Sequence, residues 1–139
     1  IQGQYTSGSS TISQAAALQA VLTDPKNSPE IQDMLKQFEN RRNLLFSLLS
    51  TIEGVVPNMP QGAFYMFPDI SWYFGKTDGN VTIRNSYDLC LYLLAEAHVA
   101  LVSGDAFGCD DCIRFSYATS TELIEEAVRR VAVALHRLH

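Results

Sequence analysis

A long run of apolar residues at helical spacing, over residues 29–52, most constrains what this chain can fold into. Ser28 and Pro29 open it as an N-cap followed by proline at the first helical position. Gly54 follows as a residue that can end it. The apolar positions recur with a period of about 3.6 residues over about six turns; they are Ile31, Met34, Leu35, Phe38, Leu45, Leu48, Leu49 and Ile52. Because so long an apolar face needs a broad surface to pack on, we expect it to cover a β-sheet.

Short apolar segments after the long helix supply that sheet. Strands are predicted at residues 55–56, 63–67, 99–102 and 113–117, and further helices at 11–23, at 86–97 and at the end of the chain. Thr119 and Glu122 form a capping box for the last helix. The predicted fold class is therefore α+β, with a small three- to four-stranded sheet and helices packed on one face.

The composition is that of one folded domain. Of the 139 residues, 47% are hydrophobic and 18% are charged. The net charge of −5 argues against a nucleic-acid partner and against an anionic membrane surface. No apolar run reaches the roughly 18 residues that a membrane span requires.

The start of the chain and its cysteines bear on its origin. Because the first residue is Ile1 and not Met, we expect a fragment or a processed product. Residues 1–10 are polar and contain two glycines, which is typical of a loop that joins residues 11–139 to an upstream segment. No secretory leader is visible, and an odd number of cysteines, three, suits a reducing compartment. We expect a cytoplasmic location.

Arg114 is the most informative polar residue of the chain. It lies in the middle of the predicted strand 113–117, where alternation turns Arg114 and Ser116 away from the apolar side chains. A buried arginine needs an anionic partner, and a guanidinium can hold a carboxylate through two parallel hydrogen bonds. Exposed arginines are the common case, so a structural ion pair or an exposed charge on an edge strand is the alternative interpretation.

Two motifs in the second half of the chain carry a family resemblance. Residues 62–69 read GAFYMFPD and residues 113–120 read IRFSYATS. Both resemble signatures of the C-terminal part of class I and II, fold-type-I aminotransferases, which use pyridoxal 5'-phosphate. The loop VSGDAFG at 102–108 and the opening stretch also have counterparts in that family, so the resemblance covers nearly the whole chain. It leans towards the aspartate-aminotransferase-like subgroup.

The resemblance implies roles for four residues. Arg114 would bind the α-carboxylate of the substrate, and Phe64 would line the substrate pocket, with core packing as its alternative. Thr6 and Ser7 match a loop that in this family approaches the cofactor site of the neighbouring subunit. Residues 11–139 would be the small C-terminal domain of a homodimeric enzyme. That enzyme would transfer an amino group between an amino acid, with aspartate as a candidate, and a 2-oxo acid.

The resemblance also implies that the catalytic lysine lies outside this chain. None of Lys26, Lys36 and Lys76 stands in the motif that surrounds that lysine in the family. The groups that hold the phosphate and the ring nitrogen of the cofactor would also lie upstream. We therefore expect no catalytic residue here and no transaminase activity from the chain alone. The alternative is a stand-alone amino-acid-binding or regulatory α+β module, in which Arg114 would again bind a carboxylate.

Cys109 and Cys112 form a C-x-x-C spacing that invites a metal or redox interpretation. A zinc site would need two further ligands, and the third cysteine, Cys90, lies on an apolar helical face. The spacing precedes a strand, whereas a thioredoxin-type motif opens a helix. The intervening Asp110 and Asp111 oppose thiolate formation. We therefore expect neither a metal site nor a redox function at these cysteines.

Overall fold

The computed structural model describes residues 1–79 and 81–139, and the side chains of all of these except Gln2 and Thr6. By its internal contacts the chain divides into two compact units, residues 1–37 and residues 38–139. The boundary falls inside the long helix.

The first unit consists of helices joined by short turns. Its helices are α1 (Gln2–Thr6), α2 (Thr11–Leu22) and the beginning of α3 (Pro29–Leu49), with a single 3₁₀ turn at Pro25–Asn27. The loop predicted for residues 1–10 is wrong in part, because α1 lies within it. The turn before α3 is fixed by Asp24, whose side chain accepts a hydrogen bond of 3.0 Å from the Lys26 backbone N–H.

The long helix α3 begins at Pro29, as predicted, but it ends at Leu49 rather than at Gly54. Its last turn tightens, because the N–H groups of Thr51 and Ile52 bond to carbonyls three residues back, at 3.2 and 3.1 Å. Gly54 lies in the following turn with a φ of +80°, and a Cβ there would meet the ring of Trp72 at 2.2 Å. The requirement for glycine therefore comes from the indole ring as well as from the backbone.

The sheet has three antiparallel strands in the order β1 (Tyr65–Met66), β5 (Ile113–Ser116) and β4 (Val102–Ser103). The predicted class and number of strands are confirmed, but the strands are shorter than expected. The strand predicted at residues 55–56 is reduced to a single bridge between Val56 and Asp69. A second antiparallel pair, β2 (Thr77–Asp78) and β3 (Val81–Thr82), was not predicted from the sequence.

The core of the second unit lies between one face of the sheet and the helices α3, α4 (Ser86–Ala97) and α5 (Thr121–Leu135). From the central strand, Ile113, Phe115 and Tyr117 are buried, whereas Ser116 is exposed. This alternation confirms the predicted facing of the strand. The side chains that meet it from the helices include Leu45, Leu49, Leu89, Leu93, Ile124, Val128 and Val131.

The segment that contains Trp72, Tyr73 and Phe74 packs against the turn that follows α3. Tyr73 is 2% exposed, and its hydroxyl donates a hydrogen bond to the Glu53 carbonyl. Lys76 places its Nζ 3.7 Å from the centre of the Trp72 ring. None of the described helices combines the length and hydropathy needed to span a membrane.

Candidate functional site

Arg114 lies at the centre of the sheet, on the face that turns away from the helices. Its strand, β5, is flanked on both sides, and Val102 of β4 lies directly opposite it. Two aromatic rings flank the guanidinium group: its Cζ lies 5.3 Å from the ring centre of Tyr65 and 5.2 Å from that of Phe107. At these distances each ring attracts the cation through its negative face. The interpretation of Arg114 as an edge-strand charge is therefore wrong.

The Arg114 guanidinium lacks an anionic partner among the described residues. Its Nε is buried and has no hydrogen-bond partner there. By contrast, Arg84, Arg129 and Arg137 each pair with a carboxylate. Leaving a buried donor unsatisfied costs on the order of 1–3 kcal/mol. No ion pair joins Arg114 to a described carboxylate, so the structural ion pair considered above is also absent from this part of the chain. A planar anion placed between the two rings would satisfy this donor.

The register of the sheet and one tight loop place the two rings. Tyr65 lies opposite Ser116, which shares the face of Arg114, so Tyr65 is a diagonal neighbour of the arginine. Phe107 ends a 3₁₀ segment, Gly104–Phe107, that follows β4. That segment is tied to the start of β5, because the Gly104 N–H donates to the Cys112 carbonyl at 2.9 Å.

Phe64 lies beside this arrangement and outside the core. Its side chain is 48% exposed, and its ring meets the Tyr65 ring edge-on at 5.8 Å. Its carbonyl accepts a hydrogen bond of 2.8 Å from the Tyr117 N–H. Phe64 therefore contacts Tyr65, which in turn contacts Arg114. The exposure of its side chain does not support core packing. Its contact with substrate stays a prediction.

The two predicted cofactor residues lie in the first compact unit. The side chain of Thr6 is outside the described residues. Ser7 is exposed and has a left-handed backbone conformation, with a φ of 53°. The role of both residues stays a prediction.

Tyr65 and Phe107, whose rings contact Arg114, were not predicted as site residues from the sequence. Both lie within motifs that had been noted, Tyr65 in GAFY and Phe107 in VSGDAFG. The available signal for Tyr65 was alternation, since it falls on the opposite face to the buried Met66. Phe107 could not be found in this way, because a loop has no period.

A groove of about 780 Å³ lies elsewhere, between Trp72 and the end of α5. It is lined mainly by apolar side chains. Its arginine, Arg137, already pairs with Glu96 at 2.7 Å and with Asp78 at 3.3 Å. This groove is therefore a poorer place for a carboxylate than the surface at Arg114.

Known families and structures are similar to this chain in sequence and in fold. The sequence model of the family "Aminotransferase class I and II" matches residues 1–131. The chain belongs to this aminotransferase family. Enzymes of the family depend in general on pyridoxal phosphate, which is the resemblance that the IRFSYATS and GAFY motifs indicated.

Relatives of known name are similar over nearly the full chain. It is 48% identical over 136 residues to the bifunctional aspartate aminotransferase and glutamate/aspartate-prephenate aminotransferase of Petunia hybrida, covering 97% of this chain and 28% of that protein. It is 43% identical over 143 residues to the aspartate aminotransferase of Rhizobium meliloti strain 1021, covering 99% of this chain and 33% of that protein. The chain thus spans about a third of the length of the curated relatives it matches.

Solved structures also match nearly all of this chain with about a third of their own length. The crystal structure of the Rhizobium meliloti aspartate aminotransferase superimposes with a TM-score of 0.90 at 40% identity, over 99% of this chain and 34% of that one. The Thermotoga maritima aspartate aminotransferase gives a TM-score of 0.75 at 33% identity, over 97% of this chain and 31% of that one. The α+β fold is therefore that of the corresponding part of an aminotransferase.

That none of the lysines Lys26, Lys36 and Lys76 holds the cofactor stays a prediction. Lys76 is stacked on Trp72. Lys26 and Lys36 are exposed on the first unit. The binding of a substrate carboxylate by Arg114 also stays a prediction.

Proposed function

We propose that this chain is the substrate-carboxylate-binding part of a pyridoxal-phosphate-dependent aminotransferase. The whole enzyme transfers an amino group between an amino acid and a 2-oxo acid. The observation that carries the proposal is the unpartnered Arg114 guanidinium between Tyr65 and Phe107, in a chain of the aminotransferase family. Aspartate is our candidate amino donor, since the relatives in Petunia and Rhizobium are named for it.

Arg114 would act by binding and orientation. Its N–H groups form a rigid fork that matches the two oxygens of a carboxylate, so one contact fixes both position and direction. The rings of Tyr65 and Phe107 flank the fork on two sides and attract its charge. A substrate held by its carboxylate presents its α-carbon in one orientation, and this positioning accelerates the reaction. Arg114 would transfer no proton, because a guanidinium stays protonated throughout.

Pyridoxal 5'-phosphate, when bound, supplies an electron sink for the α-carbon of the substrate. We propose that its lysine and phosphate ligands lie outside residues 1–139. Within the chain, Thr6 and Ser7 would approach the cofactor of a neighbouring subunit in a homodimer. Phe64 would contact the substrate side chain. In this proposal residues 1–10 join the two domains of a cytoplasmic enzyme, and residues 11–139 form the smaller one.

One observation favours a second candidate, a stand-alone module that binds amino acids. Tyr65 and Phe107, the two rings that flank Arg114, both lie within the second compact unit, as expected if that unit binds a carboxylate by itself. Such a module would bind an amino acid without a cofactor. Uptake of the cofactor by the natural protein distinguishes the two candidate functions.

The test is the intact mass of the natural protein that contains this segment, after borohydride reduction with pyridoxal phosphate present. The proposal predicts one covalent cofactor per chain, on a lysine other than Lys26, Lys36 or Lys76. It also predicts 2-oxoglutarate-dependent loss of the amino group from aspartate. A natural chain of 139 residues that binds aspartate but takes up no cofactor would contradict the proposal and favour the module.

A further inference from the structure

Cys109 and Cys112 lie closer together than the sequence pattern suggested. Their Sγ atoms are 3.0 Å apart. The Cys112 N–H donates to the Cys109 carbonyl at 3.2 Å, which closes a tight turn through Asp110 and Asp111. A turn of this kind brings its first and fourth Cα atoms within about 7 Å, and disulfides span Cα separations of about 4.4–6.8 Å. The two sulfur atoms could therefore bond with a small movement of the side chains.

The surrounding backbone holds this turn in place. The Cys109 N–H donates to the Gly104 carbonyl at 3.0 Å, and the Gly104 N–H donates to the Cys112 carbonyl at 2.9 Å. Both cysteines are partly exposed, so a small oxidant can reach them, whereas Cys90 is buried. Two thiols alone make a poor metal site, because structural zinc takes four protein ligands, and no group of three or more metal-ligating side chains forms among the described residues.

We propose that Cys109 and Cys112 form a reversible disulfide site that reacts with low-molecular-weight disulfides such as oxidised glutathione. The proposal rests on the geometry of the turn and is independent of the aminotransferase function. It replaces the expectation that this C-x-x-C spacing has no redox role.

The reaction proceeds by two thiol–disulfide exchanges. The Cys109 thiolate attacks one sulfur of the oxidant, forms a mixed disulfide and releases one thiolate. The Cys112 thiol then loses its proton to solvent and attacks the Cys109 sulfur, which forms the Cys109–Cys112 bond and releases the second thiolate. The protein loses two electrons and the oxidised glutathione gains them, giving two molecules of reduced glutathione.

The surroundings of the sulfur atoms favour Cys109 as the first nucleophile. Burial raises the pKa of the Cys112 thiol to about 12, with further contributions from the hydrogen bond and charge of Cys109 and from the charges of Asp69 and Asp111. Once Cys109 is in a mixed disulfide its charge is gone, and the contribution of that charge to the raised pKa of Cys112 disappears. Burial, and then the charge of Asp105, raises the pKa of the Cys90 thiol to about 11, and the same burial limits the access of an oxidant to Cys90.

A disulfide between Cys109 and Cys112 would constrain the end of the loop that carries Phe107. That loop runs from Gly104 to Cys112, and β5 with Arg114 begins at the next residue. The redox state of the pair therefore bears on the rigidity of one wall beside Arg114.

The test is mass mapping of the natural full-length protein after equilibration with oxidised glutathione and alkylation in denaturant. We expect the peptide containing Cys109 and Cys112 to escape alkylation and to be about 2 Da lighter, the mass of two lost hydrogens. Cys90 should be alkylated in the same sample. Dithiothreitol should restore both thiols. Separate glutathione adducts on the two cysteines, or two free thiols after oxidation, would overturn the proposal.

Three variants sharpen the test. Cys112→Ser should trap a persistent glutathione adduct on Cys109, and Cys109→Ser should form its adduct at Cys112 about tenfold more slowly. Cys90→Ser is the matched control and should form the Cys109–Cys112 bond as the natural protein does. Equal adduct rates in the two single variants would contradict the order of attack. The mapping of the natural protein decides the central point even if a variant fails to fold.

Discussion

Gly104 is the residue on which the loop beside Arg114 depends. It is buried, and a Cβ built on it would lie 2.1 Å from the Cys109 carbonyl oxygen and 2.3 Å from that of Cys112. These neighbours are backbone atoms that cannot turn aside. The close approach allows the two hydrogen bonds that fix the loop and hence the place of Phe107.

Gly104→Ala should therefore destabilise the protein by about 2–3 kcal/mol, as expected when a tightly packed site receives an extra methyl group. Gly62→Ala is the matched control, because nothing lies within 4 Å of the Cβ it would gain. Its free energy of unfolding should change by less than about 0.5 kcal/mol. Urea unfolding of the three proteins checks this, and equal stabilities of the two variants would contradict the packing described at Gly104.

At the scale of single residues, the sequence predicted which face a side chain lies on better than which residues it contacts. The facing of Arg114 followed from alternation alone, because Ile113, Phe115 and Tyr117 had to turn to the core. The rings against Arg114 could not be predicted from the residues near it in sequence. Tyr65 meets it through the register of another strand, and Phe107 meets it through a loop held by tertiary hydrogen bonds.

Among the elements, the start of α5 shows how a capping pattern can be displaced by one residue. The sequence Thr119-Ser120-Thr121-Glu122 predicted a capping box with Thr119 as N-cap, and this is wrong. Ser120 is the N-cap, and its Oγ accepts a hydrogen bond of 3.3 Å from the Leu123 N–H. With Ser120 in this position Glu122 is the second helical residue, and it lies too early to complete a box.

Ser120→Ala should lower the free energy of unfolding by about 1 kcal/mol, because the first turn of α5 loses its side-chain acceptor. Thr119→Ala, one residue earlier, removes no cap and should change stability by less than about 0.5 kcal/mol. Chemical denaturation of the pair measures the difference. A larger loss from Thr119→Ala than from Ser120→Ala would restore the assignment made from the sequence.

Because Tyr73 is buried, we expect the free energy of unfolding to depend on pH. Burial, and then the charge of Glu53, raises the pKa of Tyr73 to about 12 from its ordinary 10.0. Because the folded protein holds this proton more tightly than the unfolded chain, the stabilisation is complete below pH 10 and is lost as the pH rises towards 12.

Unfolding in urea at a series of pH values from 9 to about 11 checks this dependence. Tyr73→Phe should flatten the loss of stability in this range. Some loss should remain, because burial, and then the hydrogen bond to Asp78, also raises the pKa of Tyr92 to about 12. Tyr87→Phe is the control, since Tyr87 is exposed, and it should leave the curve unchanged. An identical curve for Tyr73→Phe and the natural protein would contradict the account.

Helices were predicted more closely than strands, for a physical reason. The helix α4 occupies Ser86–Ala97 as expected, because its cap, Asn85, and its apolar spacing are local signals. The ends of each strand are set by the partner strand with which it pairs. Because that partner is distant in sequence, the local pattern does not predict where the strand ends. The β2–β3 hairpin was missed because its four residues are polar or exposed and show no alternation.

At the scale of the whole molecule, the chain spans only about a third of the length of its curated relatives. The family and the fold are those of class I and II aminotransferases. The proposed activity therefore depends on Arg114 acting on a substrate whose reacting centre is held by groups outside these residues.

The most direct test of that claim is the steady-state kinetics of Arg114→Leu in the full-length enzyme, with aspartate and 2-oxoglutarate. Losing the charged fork should raise KM and lower kcat/KM by about 100-fold or more, on the order of 3 kcal/mol. Arg129→Leu is the matched control, since Arg129 is exposed and pairs with Glu126 at 2.7 Å; its kcat/KM should stay within about twofold of the natural value. A full loss in Arg114→Leu alone supports the account, and an unchanged kcat/KM in that variant would remove Arg114 from the substrate site.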